Sequence, residues 1–142
     1  MYRHILIPTD GSELAQRGVA HGLALAKSVQ AKASVIFVLE PFSEMSGQLR
    51  DAVETYAQLR KKEAASALEQ AVEAAREAGV SCKAIQVENG QPHQAIIAAA
   101  ADRGCDLIVM SSHGRSGLSM LLIGSVTHKV LTHAKIPVLV CQ

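Results

Sequence analysis

Asp10 closes the run Ile5-Leu6-Ile7-Pro8-Thr9-Asp10-Gly11-Ser12. A carboxylate at the end of a buried strand can accept hydrogen bonds from ribose hydroxyls, a role acidic residues play in dinucleotide folds. The same stretch also suits a plainer task, in which Asp10 or Ser12 caps the helix that follows. A second polar loop, Ser111-Ser112-His113-Gly114-Arg115-Ser116-Gly117, leads on to Gly124-Ser125. Gly124-Ser125 precedes an apolar-periodic run, so the amides of Ser125 and Val126, the Ser125 hydroxyl and the helix dipole could hold a phosphate. Ser125 as an ordinary N-cap is the alternative. Arg115 is the loop cation placed to meet charge developing on a phosphate.

Other chemistries lack their patterns. No G-x-x-x-x-G-K-[ST] occurs, and no G-x-G-x-x-G follows the first apolar run, so P-loop catalysis and ordinary dinucleotide binding drop away. The six histidines, His4, His21, His93, His113, His128 and His133, show no H-E-x-x-H or related ligand spacing, so no metal cage from protein groups is expected. Cys82, Cys105 and Cys141 are odd in number, far apart and without C-x-x-C spacing, which argues against a disulfide framework or a zinc site and for three small buried hydrophobes. With 14 Lys+Arg against 13 Asp+Glu the net charge is +1, and the basic residues are scattered. Nucleic acid and membrane insertion are therefore not expected, and a small ligand or a protein partner is. No apolar run is long enough for a signal peptide or a membrane span, and the cytoplasm is the expected compartment.

The elements that must position Asp10 and Ser125 follow from periodicity. At 142 residues the chain fits one domain, residues 1–142. Its apolar fraction is 49% but its aromatic fraction only 3%, so Ala, Val, Leu and Ile must build the core, as suits helices packed on a sheet. Ile5 to Ile7 predicts a strand. A helix follows, with Leu14, Val19, Leu23 and Ala26 near one face, and Gly18, Ala20, Gly22 and Ala24 allowing a close approach to a neighbour. Val35 to Leu39 is the second strand, and the aperiodic polar segment from Pro41 to about Arg50 reads as a mobile loop. Val53, Tyr56, Leu59, Leu68, Val72 and Ala75 keep helical spacing over Asp51 to Ala78, and Gly79 is the stop. Cys82 to Val87 is a more polar strand suited to a sheet edge. Pro92 opens a third helix that ends at Arg103-Gly104. Leu107 to Met110 is the fourth strand, Ser125 to His133 a short helix, and Pro137 to Cys141 the fifth strand. Strands alternating with helices need right-handed crossovers, so the expected fold class is α/β: an open five-stranded parallel sheet with helices on both faces.

In such sheets ligands bind beyond the carboxyl ends of the strands, where strand order reverses. That rule selects the loops after strands one and four, which carry Asp10 and Ser111 onward. These residues, together with Gly90-Gln91-Pro92, Asp106-Leu107-Ile108-Val109-Met110 and Ile136-Pro137-Val138-Leu139-Val140, give nearly the whole chain a sequence that resembles the universal stress protein family. ATP-binding members carry G-x-x-G, nine residues, then G-[ST]; here Gly114, nine residues and Gly124-Ser125 match, while Ser111 stands where the first glycine would be. A positive φ or a close phosphate contact at that position would make the serine costly.

The resemblance implies the strand order 3-2-1-4-5 of a Rossmann-like, adenine nucleotide alpha hydrolase-like fold. It implies that Pro8, Thr9 and Val38 flank an adenine and that Asp10 holds the ribose. Met110, Ser111, Gly114, Gly124, Ser125 and Val126 would line the adenosine and phosphates, and Mg2+ would be bound through the phosphates of ATP, or AMP would take its place. It also implies a homodimer through the edge strand Val138 to Cys141, whose apolar character invites pairing. The function so implied is an ATP-binding regulatory protein of the stress response with a protein partner the sequence does not identify. Two alternatives stand beside it: a slow ATP-hydrolysing enzyme with His113 or Asp10 positioning water, and a nucleotide-free dimeric scaffold.

Overall fold

A computed structural model describes residues 1–41, 50–113 and 123–142. Nine elements alternate along the chain: β1 (His4–Pro8), α1 (Glu13–Val29), β2 (Lys32–Leu39), α2 (Arg50–Ala78), β3 (Cys82–Glu88), α3 (Pro92–Arg103), β4 (Leu107–Ser111), α4 (Ser125–His133) and β5 (Val138–Cys141). Of the loop expected from Pro41 to about Arg50, residues 42–49 lie outside the described residues, and Arg50 already begins α2. All five strands pair in parallel in the order β3-β2-β1-β4-β5, with Ile5 level with Ala33 on one side and Leu107 on the other.

Alternation along the strands feeds two cores. Ile5, Ile7, Val35, Phe37 and Val109 join the apolar faces of α1 and α2, whereas Leu6, Ile36, Ile108 and Met110 join those of α3 and α4. Successive side chains of a strand point to opposite faces, so a strand buried on both reads as a continuous apolar run. The polar β3 lies at an edge, as its pattern predicts.

The structure corrects several expectations. Gly18 and Gly22 do face the sheet, and a Cβ on Gly22 would stand 2.6 Å from Ile7 Cδ1, so α1 lies too close there for a side chain. Ala20 and Ala24 are on the exposed side, and Leu14 is half-buried. Tyr56 and Leu59 of α2 are exposed, while Ala64, Leu68, Ala71 and Ala75 carry its packing. Cys105 is buried, but Cys82 and Cys141 are only half-buried. Burial pushes the Cys105 thiol up to about 11, with Asp106 adding to the effect.

At the amino end of the sheet His4 ties three elements together. Its Nδ1 lies 3.1 Å from the Arg103 carbonyl, which can only accept, so Nδ1 carries the proton and Nε2 accepts the Ser34 hydroxyl at 2.8 Å. Burial, and then the charge of Lys32, holds its pKa below the ordinary histidine value.

Candidate functional site

At the carboxyl end, β1 and β4 are neighbours and the connections leave in opposite senses, which makes their ends the switch point of the sheet. Pro8 is the buried last residue of β1. Thr9 is also buried, its amide donating to the Ile36 carbonyl at 2.9 Å, and its hydroxyl accepts from the Gly11 amide at 3.2 Å. Asp10 is half-buried, and its Oδ1 accepts from the Ser12 amide at 3.0 Å. Gly11 adopts φ 82°, a backbone that favours glycine and turns the chain out of β1. Ser12 is the N-cap of α1, its Oγ accepting from the Ala15 amide at 3.2 Å. The capping role left open between Asp10 and Ser12 thus falls to Ser12, and Asp10 shapes the turn with one carboxylate oxygen.

Val38, half-buried near the end of β2, and Met110, buried in β4, belong to the same core, on the α3–α4 face. Ser111 ends β4 in extended backbone, since Gln30 is the non-glycine residue with positive φ among the described residues. The strain feared for a serine at this position is therefore absent. Its Oγ donates to the His113 carbonyl at 2.7 Å, and its own carbonyl accepts from Thr127 Oγ1 at 2.9 Å. Ser112 bonds the Cys141 carbonyl through its amide at 2.8 Å, and its carbonyl accepts from the Gly124 amide at 2.7 Å.

These bonds seat the first turn of α4 on the end of β4, which is bonded in turn to the end of β5. The N-cap of α4 is Gly124, so Ser125 is its first helical residue and not the cap. Gly124 offers no side-chain cap and no acidic residue lies in the first turn, so among the described residues nothing offsets the partial positive charge of this helix end. Ser125 is exposed and Val126 half-buried. His113 is buried: its Nδ1 lies 3.1 Å from Ser112 Oγ, and its buried Nε2 has no hydrogen-bond partner. Gly114 and Arg115 lie outside the described residues.

The switch point thus gathers Pro8, Thr9 and Asp10 from β1, Met110 and Ser111 from β4, and the Gly124 to Val126 turn of α4. A cleft of about 470 Å³ opens beside it between α1 and α2, lined by Gly11, Ser12, Gln16, Lys62, Glu63, Ser66, Ala67 and Gln70. Of the site residues expected from sequence that the structure describes, Asp10 reaches this cleft. The spacing of sequence motifs missed Ser112 and Thr127. Thr127 carried one faint signal, being a polar residue beside Val126 on the side of α4 that buries Val130. Among the described residues no three His, Cys, Asp or Glu side chains cluster to hold a metal, and no helix is long and apolar enough to cross a membrane.

A doubly wound parallel sheet of order β3-β2-β1-β4-β5 makes this an α/β protein with a Rossmann-like, adenine nucleotide alpha hydrolase-like fold. The universal stress protein family model matches residues 1–142. The chain is 34% identical over 142 residues to a universal stress protein of Methanocaldococcus jannaschii, covering 100% of this chain and 83% of that one. The chain belongs to the universal stress protein family. Its fold superposes on that of the universal stress protein UspA from Lactobacillus plantarum with a TM-score of 0.87, covering 99% of this chain and 98% of that one at 24% identity. A universal stress protein solved in complex with cAMP superposes with a TM-score of 0.74 at 27% identity, covering 99% and 97%.

Proposed function

We propose that this chain is an adenine-nucleotide binding regulatory protein of the stress response, a binding module whose nucleotide-filled state alters its contacts as a homodimer. The observation that carries the proposal is that the Asp10 turn follows β1 while the first turn of α4 is bonded to the end of β4, the neighbouring strand at the switch point. A carboxylate suits ribose hydroxyls, and the amides of a helix N-terminus suit a phosphate. His113 Nε2, buried without a partner, fits the same picture, because such an orphan calls for a polar ligand or water. The family member solved with cAMP adds support for an adenine nucleotide.

In this proposal Pro8, Thr9 and Val38 flank the base, Asp10 holds the ribose, and Met110, Ser111 and the turn from Gly124 to Val126 line the rest. Gly114 and Arg115 complete the phosphate loop. The ligand is ATP, with Mg2+ bound through its phosphates, or AMP in its place. Subunits pair through the outer edge of β5, where Leu139 is exposed and the strand has no neighbour.

The test is to purify the protein without added nucleotide, denature it, and identify released adenine nucleotides by chromatography, with Gly124→Val alongside. Gly124 has φ −60° and ψ 155°, a backbone valine adopts without strain, so the variant adds bulk at the phosphate approach. Nucleotide released from the wild type alone, with both proteins eluting as dimers, is the expected result. A wild type that is empty and ignores millimolar Mg-ATP would return the chain to the role of a nucleotide-free scaffold.

A further inference from the structure

We propose that Thr127 is a positioning residue for phosphate binding, one that acts through the end of β4 and does not touch the nucleotide. The inference rests on the nucleotide reading above and names the device that holds its phosphate turn in place.

Thr127 is the third residue of α4 and is 3% exposed. A helical threonine commonly turns its hydroxyl to a carbonyl of its own helix, as Thr132 does with His128 at 2.9 Å. Thr127 instead donates to Ser111, 16 residues earlier, at 2.9 Å in a buried setting. The Gly124 amide reaches the Ser112 carbonyl at 2.7 Å, and the Ser112 amide reaches Cys141 at 2.8 Å. The first turn of α4 is thereby tied to the end of β4, which is itself bonded to the end of β5, and Gly124 places no capping side chain over its leading amides. Ser111 extends the clamp, since its hydroxyl fastens the His113 carbonyl at 2.7 Å while its own carbonyl receives Thr127.

Donors fixed in advance bind charge better than donors that must be brought into place. Base and ribose sit on the ends of β1 and β2 in this reading, so releasing the clamp weakens the hold on phosphate and leaves the hold on adenosine unchanged.

Thr127→Val replaces the hydroxyl by a methyl of similar size, and Thr127→Ser retains it. ATP, AMP and adenosine are titrated calorimetrically into the full chain of each variant and of the wild type. Loss of one buried hydrogen bond predicts a fall in ATP affinity of about three- to tenfold for Thr127→Val, no change for adenosine, and recovery in Thr127→Ser. If Thr127→Val does not fold, Thr127→Ala decides on the same criterion, a loss for ATP without one for adenosine. Equal losses for ATP and adenosine, or none for either, overturn the inference and leave the nucleotide reading standing. A wild type that binds none of the three overturns that reading and this inference with it.

Discussion

One oxygen of Asp10 accepts the Ser12 amide at 3.0 Å, so the residue serves the turn whatever else it does. Asp10→Asn separates the two roles. The amide oxygen of asparagine can still accept from Ser12, so the variant is expected to unfold within about 0.5 kcal/mol of wild type. Ribose-containing ligands lose a charged acceptor and should bind about tenfold more weakly, read by titration with adenosine. Equal binding by the two proteins would confine Asp10 to the turn. Asp10 was legible in the sequence because its surroundings announce it: a short apolar run, Pro8, then a Gly-Ser turn. Thr127 was not. A threonine between Val126 and His128 in a short helix reads the same whether its hydroxyl meets water, its own helix or a strand end, and the seat of α4 on β4 decides. Ser111 was legible as a departure from the glycine motif, but its consequence was not, since extended and left-handed backbone look alike in sequence.

Among the elements, helix faces were harder to read than helices. All nine elements of the structure were legible as strands or helices, and α4 was read to its exact ends, because apolar runs, Pro92 and the glycine stops punctuate the chain. The predicted α1 face mixed Gly18 and Gly22 with Ala20 and Ala24, four small residues that composition cannot separate. Helical geometry separates them: residues four apart share a face, and the sheet takes the pair of glycines. Gly22→Ala therefore sets two terms against each other. Alanine gains about 1 kcal/mol in helix propensity, but its Cβ would stand 2.6 Å from Ile7 Cδ1 and 3.5 Å from Val109 Cβ. Ile7 is fully buried and has little room to move. Overpacking of this kind costs about 1–3 kcal/mol, so the expected net loss is about 1 kcal/mol, measured by urea unfolding at unchanged m-value. A gain in stability would mean that α1 can ride outward freely. The exposure of Tyr56 and Leu59 has a similar geometric origin. A helix of 29 residues is roughly 43 Å long, whereas a strand of 8 residues spans roughly 26 Å, so part of α2 runs past the sheet it packs on. Periodicity reports a helix and cannot report where its neighbour stops.

For the molecule as a whole, the two ends of the sheet divide the work. The carboxyl end holds the orphan imidazole nitrogen and the uncapped helix, while the amino end is satisfied throughout, with His4 bonded at both ring nitrogens and the Asp106 carboxylate accepting from the amides of Arg3 and His4 at 2.9–3.1 Å. That satisfaction depends on a neutral His4, because a protonated ring would turn two donors on Ser34 and the Arg103 carbonyl and cut the present acceptor. The pKa of His4 is depressed by burial and then by Lys32, so between its folded pKa and the ordinary value near 6.5 the unfolded chain binds the proton and the folded chain does not. Stability is full above about pH 6.5 and is lost as the pH falls toward the folded pKa. His93, depressed by burial and then by Lys129 and His133, acts in the same direction. Burial raises the pKa of Asp106, but the backbone bonds from His4 and Arg3 outweigh it and hold the carboxyl low, which adds a further loss at more acid pH. Urea midpoints should accordingly be level from pH 8 to 7 and decline below about pH 6.5. His4→Gln cannot take up the proton. It gives up ring packing and one bond and is expected to be less stable than wild type at pH 8 by about 1–3 kcal/mol, yet to lose less on acidification to pH 5. If the two proteins declined in parallel across that interval, the proton would be entering elsewhere and the His4 tie would be structural without being a titrating one.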